Sequence, residues 1–362
     1  MVARRVTRPL LAAALTLLLL VPLSTGVPAR ADGPERVPGA RIELRASDVA
    51  AGTRVAGWPR RRSTQAATFV VNYDAGFLAN QPARAAFQYA VDIWAGQLSS
   101  PVPIVVDAHW SALEPGLLGY AGFAYSVRDF AGAPRTGTYY PAPIANRLAG
   151  TDLGPDDVDI EASFSSNVDW YFGTDGNTPA GRYDFATVVL HELGHGLGFA
   201  GSGSVASGVG HFGVGVSKTP FIWDRFVVNG AGTPVLALVD GSLPLRLELT
   251  GANLFFAGVG ANAGNGGAPA RLYAPASWEQ GSSYSHLDEA TYPAGNANSL
   301  MTPQLGSAEA IHDPGPVVRG ILEDMGWATS APAATPTPTA TAVPIPAAGP
   351  GIARLLVPLT PR

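Results

Sequence analysis

Five consecutive residues, His191 to His195, constrain the fold of this chain more than any other part of its sequence. They read His-Glu-Leu-Gly-His and follow the apolar residues Val188 to Leu190. On a helix, residues four apart lie on one face about one turn apart, so both imidazoles can reach one metal ion. The apolar flank would bury this helix, and two buried histidines without partners would be costly. The pattern therefore predicts a buried helix that carries two metal ligands.

Glu192 lies next to the first of these ligands but is rotated around the helix. It can contact a metal-activated water without binding the metal, which is the position of a general base. Catalytic zinc needs a third protein ligand and one open coordination position. Because the chain contains no cysteine, that ligand must be a histidine or a carboxylate.

Four other histidines are candidates for the third ligand. His109 lies in a predicted strand and His312 directly precedes the last predicted helix, so we expect both to be structural. His211 lies in a glycine-rich loop after the helix, and His286 follows the sequence Ser-Tyr-Ser. Spacing alone leaves both of these histidines open as ligands.

Three motifs occur in a fixed order along the chain. They read HELGHGLGF, SHLDE and SLMTP, and they begin at residues 191, 285 and 299. Together they resemble the leishmanolysin-type metzincins, a family of zinc metalloproteases. In that family a long insertion displaces the third zinc histidine, a methionine turn then lies beneath the metal, and a helix follows that ends in a sequence like Glu323 to Trp327.

The resemblance implies a role for each matching residue. His191, His195 and His286 would bind Zn²⁺, Glu192 would be the catalytic base, and Met301 would be the methionine of the turn. The compact metzincin pattern has its third histidine where this chain has Gly201. The resemblance therefore implies an insertion over residues 199–285. Leishmanolysins block their zinc with a cysteine of the pro-segment, so any latency of this cysteine-free chain must work differently.

Periodicity around the motifs predicts an α+β fold in which helices cover a twisted mixed sheet. Apolar spacing predicts helices over residues 81–98 and 185–197, with Asn80 and Asp184 as N-caps, and a last helix between Asp313 and Gly326. Alternating or β-rich runs predict strands, namely residues 68–73, 102–109, 118–126 and 157–165, with shorter pieces at 226–229 and 235–239. The resemblance makes this fold metzincin-like, with a loop-rich β insertion.

The chain divides into four segments. Residues 1–31 combine basic residues, an apolar run and a small-residue cleavage pattern, which predicts an export signal. Residues 32–66 are polar, contain Arg60-Arg61-Arg62, and are interpreted as an N-terminal arm or short pro-segment. Residues 67–328 form the predicted zinc metalloprotease domain. Residues 329–362 are rich in proline, threonine and alanine, as a disordered tail would be.

Charge and composition limit the partners. The formal net charge is −5, which argues against a nucleic-acid surface. The export signal predicts a secreted or cell-surface protein with no membrane span in the mature chain, and the strong preference for arginine over lysine suggests a bacterial source. We expect a monomer that acts on protein or peptide substrates.

The predicted function is hydrolysis of peptide bonds by a zinc-activated water, with Glu192 as general base. One alternative is a thermolysin-like site whose third ligand is Glu248 or Glu289, although neither has the expected helical context. Another is a secreted binding or adhesion module that holds zinc without activity. By family likeness, the substrate would lie extended against an edge strand near residues 157–165.

Several weaker expectations concern residues near these motifs. Asp288 or Glu289 could orient a metal ligand, and Tyr284 or Tyr292 could steady the oxyanion. Two acidic stretches, residues 152–159 and 175–177, could bind Ca²⁺.

Overall fold

The computed structural model describes residues 34–57 and 66–329. The predicted export signal, the triplet Arg60-Arg61-Arg62 and the predicted tail beyond Thr329 lie outside the described residues. Among the described helices, none has the length and apolar character that crossing a membrane requires.

The described residues form twenty strands and seven helices. The strands are β1 (Arg36–Pro38), β2 (Ile42–Ala46), β3 (Arg54–Val55), β4 (Phe69–Tyr73), β5 (Leu98–Ser99), β6 (Ile104–Ser111), β7 (Leu117–Phe123), β8 (Tyr125–Arg128), β9 (Tyr139–Pro141), β10 (Ile160–Ser165), β11 (Trp170–Tyr171), β12 (Tyr183–Asp184), β13 (Ser204–Ala206), β14 (Val209–His211), β15 (Val227–Asn229), β16 (Leu254–Phe256), β17 (Ala270–Arg271), β18 (Gln304–Leu305), β19 (Ala310–Ile311) and β20 (Ala328–Thr329). The helices are α1 (Ala75–Ala79), α2 (Gln81–Gln97), α3 (Ala142–Ala149), α4 (Phe185–Gly196), α5 (Leu243–Leu249), α6 (Val259–Gly264) and α7 (Gly315–Met325). The fold is a mixed α+β arrangement, which confirms the predicted class.

A six-stranded sheet organises the molecule, in the order β18-β2-β7-β10-β6-β4. Strands β4, β6 and β10 run parallel to one another, and β7 runs antiparallel to β10. Strand β2 continues the sheet antiparallel to β7, and β18 runs parallel to β2. The sheet is therefore mixed. Its neighbouring strands β18, β2 and β7 are distant from one another in sequence.

Helices α2 and α4 pack against this sheet and each other. The side chain of Asn80 accepts from the Ala83 amide at the start of α2, and that of Asp184 accepts from the Thr187 amide at the start of α4. Both N-cap predictions are thereby confirmed. All residues of α4 are buried. Apart from Thr187, the two histidines and Glu192, the residues of α4 are apolar or glycine, so most of its surface favours burial.

The insertion after α4 is fixed to the last helix. The carboxylate of Asp324 in α7 accepts hydrogen bonds from the Gly260 and Ala261 amides, at the start of α6. A Cβ atom on Gly320 would lie 2.2 Å from the backbone of Gly260, so the two helices approach without intervening side chains. The insertion is therefore packed against the domain rather than projecting from it.

Several sequence predictions need correction. No strand was predicted in the arm, but its residues 34–57 contain β1, β2 and β3, which form by pairing with strands elsewhere. The predicted strand 118–126 is interrupted at Ala124, and the one at 157–165 begins only at Ile160. Residues Val235–Ala237 form a 3₁₀ turn. The insertion also contains the helices α5 and α6, which are too short for periodicity to reveal.

The N-terminus of α7 also differs from the prediction. Asp313 does not occupy the N-cap position, which belongs to Pro314. Its carboxylate still accepts from the Gly315 amide and pairs with the buried Arg319 side chain. The predicted end of the helix at Gly326 is confirmed.

Candidate metal centre

Helix α4 presents His191 and His195 from one face, and two tryptophans fix its position. The indole of Trp94 in α2 donates to the Leu190 carbonyl at 2.9 Å, and that of Trp327 donates to the Leu197 carbonyl at the same distance. Gly198, with a φ of +113°, then turns the chain away from the helix. Both histidines are fully buried, so the packing of α4 sets where their rings can lie.

His286 reaches the same point from an irregular segment. Its carbonyl accepts from the Tyr273 amide, and the next amide, Leu287, donates to the Met301 carbonyl. Two residues before it, Tyr284 has a φ of +74°, and its hydroxyl donates to the buried carboxylate of Asp224. Tertiary hydrogen bonds, rather than regular structure, therefore position the third ring.

The three Nε2 atoms converge. That of His195 lies 3.0 Å from that of His191 and 3.1 Å from that of His286, and the remaining separation is 3.3 Å. Nitrogens about 2.0–2.1 Å from a tetrahedral zinc lie about 3.3–3.4 Å from one another. Within residues 34–57 and 66–329, this is the single place where three histidine or acidic side chains meet closely enough to share an ion.

The other ring nitrogen of each histidine determines the tautomer. The Nδ1 atoms contact carbonyl oxygens, at 2.6 Å for His191 with Leu300, 2.7 Å for His195 with Phe199, and 2.7 Å for His286 with Ser282. A carbonyl can only accept, so each Nδ1 carries the hydrogen and donates it. Each Nε2 therefore directs a lone pair at the other two, and the short contacts between them are not hydrogen bonds.

Burial keeps the three rings neutral. It lowers the pKa of His191 and His195 well below the ordinary value, and that of His286 to about 4. Neutral imidazole is the form that binds metal ions. Three converging lone pairs without a donor repel one another unless a cation lies between them. Three imidazoles also suit zinc, copper, iron or nickel better than calcium or magnesium. The residues therefore fit a transition-metal ion.

Glu192 is the second unusual group of the site. Its carboxyl group is fully buried, and neither oxygen has a hydrogen-bond partner of ordinary geometry. Burial raises its pKa well above the usual range, and the nearby Leu44 and Ala121 backbones offset this only in part. The carboxyl group lies beneath β7, since a Cβ atom on Gly119 would be 3.3 Å from its Oε1. A buried carboxyl group without partners is available to exchange protons with a bound molecule.

Met301 packs against helix α4 at Gly194. A Cβ atom on Gly194 would lie 2.8 Å from the Met301 sulfur, so the thioether fills the space that this glycine leaves open. Residue 300 supplies the carbonyl that holds His191, and Met301 is fully buried. The turn therefore fixes the histidine helix by packing and by one hydrogen bond.

Tyr284 explains why residue 201 carries no ligand. A Cβ atom on Gly201 would lie 2.2 Å from the Tyr284 ring. The space into which a side chain of residue 201 would extend is therefore filled by the segment that delivers His286. The hydroxyl of Tyr284 is engaged with Asp224, and that of Tyr292 donates to Asn265. Both hydroxyls are committed to structural partners.

The other candidate ligands lie outside the cluster. His211 is close to Asp240, at 3.3 Å, and His109 is half exposed. His312 is buried and contacts Asp184 through Nε2 at 2.9 Å. Glu248 accepts from the Asn229 side chain, and Glu289 does not join the histidines. Of the two histidines that spacing left open, His286 is the one that meets the helical pair.

The two acidic stretches use their carboxylates within the protein. Asp175 accepts from the Tyr171 hydroxyl and from Asn177, and hydrogen bonds led by the Asn177 amide lower its pKa to about 2. Asp157 pairs with Arg36, and Asp159 accepts from Asn146 and Val105. Calcium binding stays a prediction.

Two features of the site were not predicted. One is Asp224, which accepts from Ser202 (amide and hydroxyl), the Phe221 amide and Tyr284. A single aspartate in a loop carries no sequence signal of this role. The other concerns the edge strand. Strand β10 (160–165) lies inside the sheet between β6 and β7, so the prediction that a substrate lies against it as an edge strand is wrong. The edge of β7 that faces away from β10 is paired with β2.

Comparisons with known proteins add one partial similarity. A family model described as SPBPB7E8-like matches residues 121–207. The matched range contains α4 and its two histidines but ends before His286. No curated protein and no solved structure matches the chain.

Proposed function

We propose that this protein is a zinc-dependent endopeptidase related to the leishmanolysin-type metzincins. The observation that carries the proposal is the convergence of three neutral imidazole Nε2 atoms, 3.0 to 3.3 Å apart, beside a buried carboxyl group whose oxygens have no hydrogen-bond partner of ordinary geometry. The order of the three motifs along the chain supports the same conclusion. Export from the cytoplasm, a bacterial source, a monomeric state and a protein or peptide substrate belong to this proposal.

Each residue has a defined task. His191, His195 and His286 hold the ion, and their Nδ1 hydrogen bonds keep the rings oriented. A bound zinc ion would supply Lewis acidity, which activates a water molecule and polarises the scissile carbonyl. Glu192 accepts a proton as the water oxygen attacks the carbonyl carbon. When the carbon–nitrogen bond breaks, the same carboxyl group delivers that proton to the leaving amine.

Glu192 also distinguishes catalysis from structural zinc binding. A site that only stabilises the fold needs no carboxyl group beside the ligands, and a buried acid whose burial is offset only in part by its neighbours costs stability. The loss of stability from burying the Glu192 carboxyl group is explained if that group accepts and donates a proton during a reaction. This observation favours the endopeptidase over a non-catalytic binding or adhesion module.

The test is Glu192→Gln in the zinc-loaded protein. We expect hydrolysis of labelled casein to fall by roughly 10³-fold or more, because amide nitrogen cannot accept the proton. Bound zinc, measured by atomic absorption, should remain at one ion per chain, since residue 192 is not a ligand.

The matched control is Glu248→Gln, which makes the same chemical change in α5. It should leave both hydrolysis and zinc content unchanged, which also tests the alternative glutamate ligand. Retained hydrolysis in Glu192→Gln would overturn the assigned base, and loss of zinc in Glu248→Gln would reassign the third ligand.

A further inference from the structure

The described part of the N-terminal arm, residues 34–57, is extended and takes its regular structure from the rest of the molecule. Strand β1 pairs with β8, β2 with β7 and β18, and β3 with β19. No two strands of the arm pair with each other. The arm therefore binds along the domain as an extended peptide ligand would, although it belongs to the same chain.

Strand β2 is hydrogen-bonded along both of its edges. On one edge it pairs with β7, with Ile42 opposite Ala121 and Leu44 opposite Gly119. On the other edge the amides of alternate residues, 43, 45 and 47, donate to the carbonyls of Gly281, Pro303 and Leu305, at 3.0, 3.3 and 2.8 Å. Gly281 precedes the residue whose carbonyl holds His286, and Pro303 follows the Met301 turn. Strand β2 therefore spans the gap between β7 and both segments that complete the histidine site.

This strand also covers the proposed general base. Its Leu44 backbone lies close enough to affect the carboxyl group of Glu192, which itself lies beneath Gly119 of β7. With β2 in place, Glu192 and the three histidines have no exposed surface. A polypeptide substrate that binds by adding a strand to β7 needs the edge that β2 occupies.

The arm contacts the domain through two buried aliphatic side chains and through Glu35, whose carboxylate accepts from the Tyr139 hydroxyl and pairs with Arg128. Within residues 34–57, Ile42 (6% exposed) and Leu44 (1% exposed) are the buried side chains. The ion pairs Arg36–Asp157 and Arg45–Glu114 are largely exposed, and such pairs contribute little. Ile42 and Leu44 are therefore the buried aliphatic anchors of the arm, and Val37, Ala40, Ala46 and Val55 add partly buried apolar contacts.

We infer that the N-terminal arm is an autoinhibitory segment whose strand β2 occupies the substrate cleft. Ile42 and Leu44 fill the positions of two substrate side chains. The inference rests on the proposed function and extends it to regulation and substrate class. Substrates must displace β2, and they carry aliphatic side chains two residues apart in an extended segment. This latency requires no cysteine, in agreement with the composition.

The test uses the full-length, zinc-loaded chain with both anchors replaced, Ile42→Asp/Leu44→Asp. We expect zinc transfer to a chromogenic chelator to accelerate by roughly tenfold or more, because burying two carboxylates detaches the strand. Hydrolysis of labelled casein should rise by a similar factor. Amide hydrogen exchange should accelerate in β2 and in its neighbours β7 and β18, without a change in β4 and β6 at the far side of the sheet.

The matched control is Val49→Asp, in the same arm but with a side chain that is 72% exposed. It should behave as the unmodified chain in all three measurements. A further variant, Ile42→Asp/Leu44→Asp/Glu192→Gln, should transfer zinc rapidly and hydrolyse nothing.

A reversible cross-link tests the same inference without weakening the fold. Glu43 lies opposite Tyr120, and its amide points to Gly281, so the pair does not exchange ladder hydrogen bonds. Opposite residues in this arrangement suit a disulfide. Because the chain has no native cysteine, the intended bond is the one disulfide that Glu43→Cys/Tyr120→Cys can form within a molecule, and oxidation at low protein concentration avoids bonds between molecules. Zinc transfer and hydrolysis should be suppressed when it is oxidised and restored when it is reduced, whereas Tyr120→Cys alone should not respond.

The outcomes separate the two proposals. If the anchor variant exposes β7 to hydrogen exchange but zinc transfer and hydrolysis stay at their original rates, the autoinhibitory role is wrong and the endopeptidase can stand. If zinc transfer accelerates while no variant hydrolyses casein, the cleft is covered as inferred and the endopeptidase is wrong. Full hydrolysis by the oxidised cross-linked protein would also overturn the inference.

Discussion

The two halves of the histidine site are built in different ways. Helix α4 places His191 and His195 by its own periodicity, from a capped start at Asp184. The segment that carries His286 has no regular structure and depends on contacts with residues that are distant in sequence, among them Asp224 and Met301. The helical half is therefore determined locally, and the other half is determined by the completed fold. Variants of the two halves should respond differently.

The largest effect is expected from removing the ligand of the irregular half. His286→Ala should weaken zinc binding by roughly 10³-fold, about 4 kcal/mol, because a third nitrogen ligand is lost. His211→Ala is the control, since that ring lies near Asp240 and outside the cluster. Competition with a chelator of known affinity measures both. Equal effects of the two variants would mean that the third ligand is wrongly assigned.

A matched pair of buried aspartates compares the supports of the two halves. Asp184 accepts from four donors around the start of α4, on Thr178, Thr187 and His312, and Asp224 accepts from four around the His286 segment. Replacing either by alanine should lower the free energy of unfolding by about 2–4 kcal/mol, because buried donors lose their acceptor.

Zinc affinity should then separate the two variants. Asp224→Ala should weaken it by about tenfold, because Tyr284 loses its anchor and His286 follows two residues later. Asp184→Ala should change it by less than about threefold, since Trp94 and Trp327 still hold the helix. Urea unfolding and chelator competition provide the two numbers. An equal loss of affinity would show that both halves depend on the completed fold.

The smallest predicted effect is an electrostatic cost of the irregular half. Burial raises the pKa of Glu289, three residues after His286, from 4.5 to about 7. The folded protein therefore binds a proton on Glu289 more tightly than the unfolded chain does. The ionised carboxylate lowers the free energy of unfolding at pH 8, and this loss disappears as the pH falls from about 8 to 5. Glu289→Gln should raise the free energy of unfolding at pH 8 by about 1–2 kcal/mol, allowing for partial exposure. The difference should disappear near pH 4, and urea unfolding at both pH values tests it.

Sequence reasoning succeeded where structure is local. The bounds of α2 and α4 and their caps followed from apolar spacing and from Asn80 and Asp184. The third ligand was harder, because spacing left His211 and His286 open and only the family motifs favoured one. Strands β1 to β3 could not be predicted, since short polar segments become strands only when a partner edge is present. Strand β10 is likewise interior because β7 pairs with one of its edges, and the sequence of β10 alone does not reveal that pairing.

The arm has a consequence for the behaviour of the protein in solution. Strand β1 covers the edge of the β8–β9 pair, β2 lies between β7 and β18, and β3 is the strand with which β19 pairs. Bare strand edges pair with other chains and promote aggregation. A molecule that lost the whole arm would expose unpaired strand edges at β8, β7, β18 and β19, whereas one that released only β2 would expose those of β7 and β18. If β2 detaches as inferred, a molecule in which β1 and β3 stay docked exposes fewer unpaired edges than one without the arm and is expected to aggregate less.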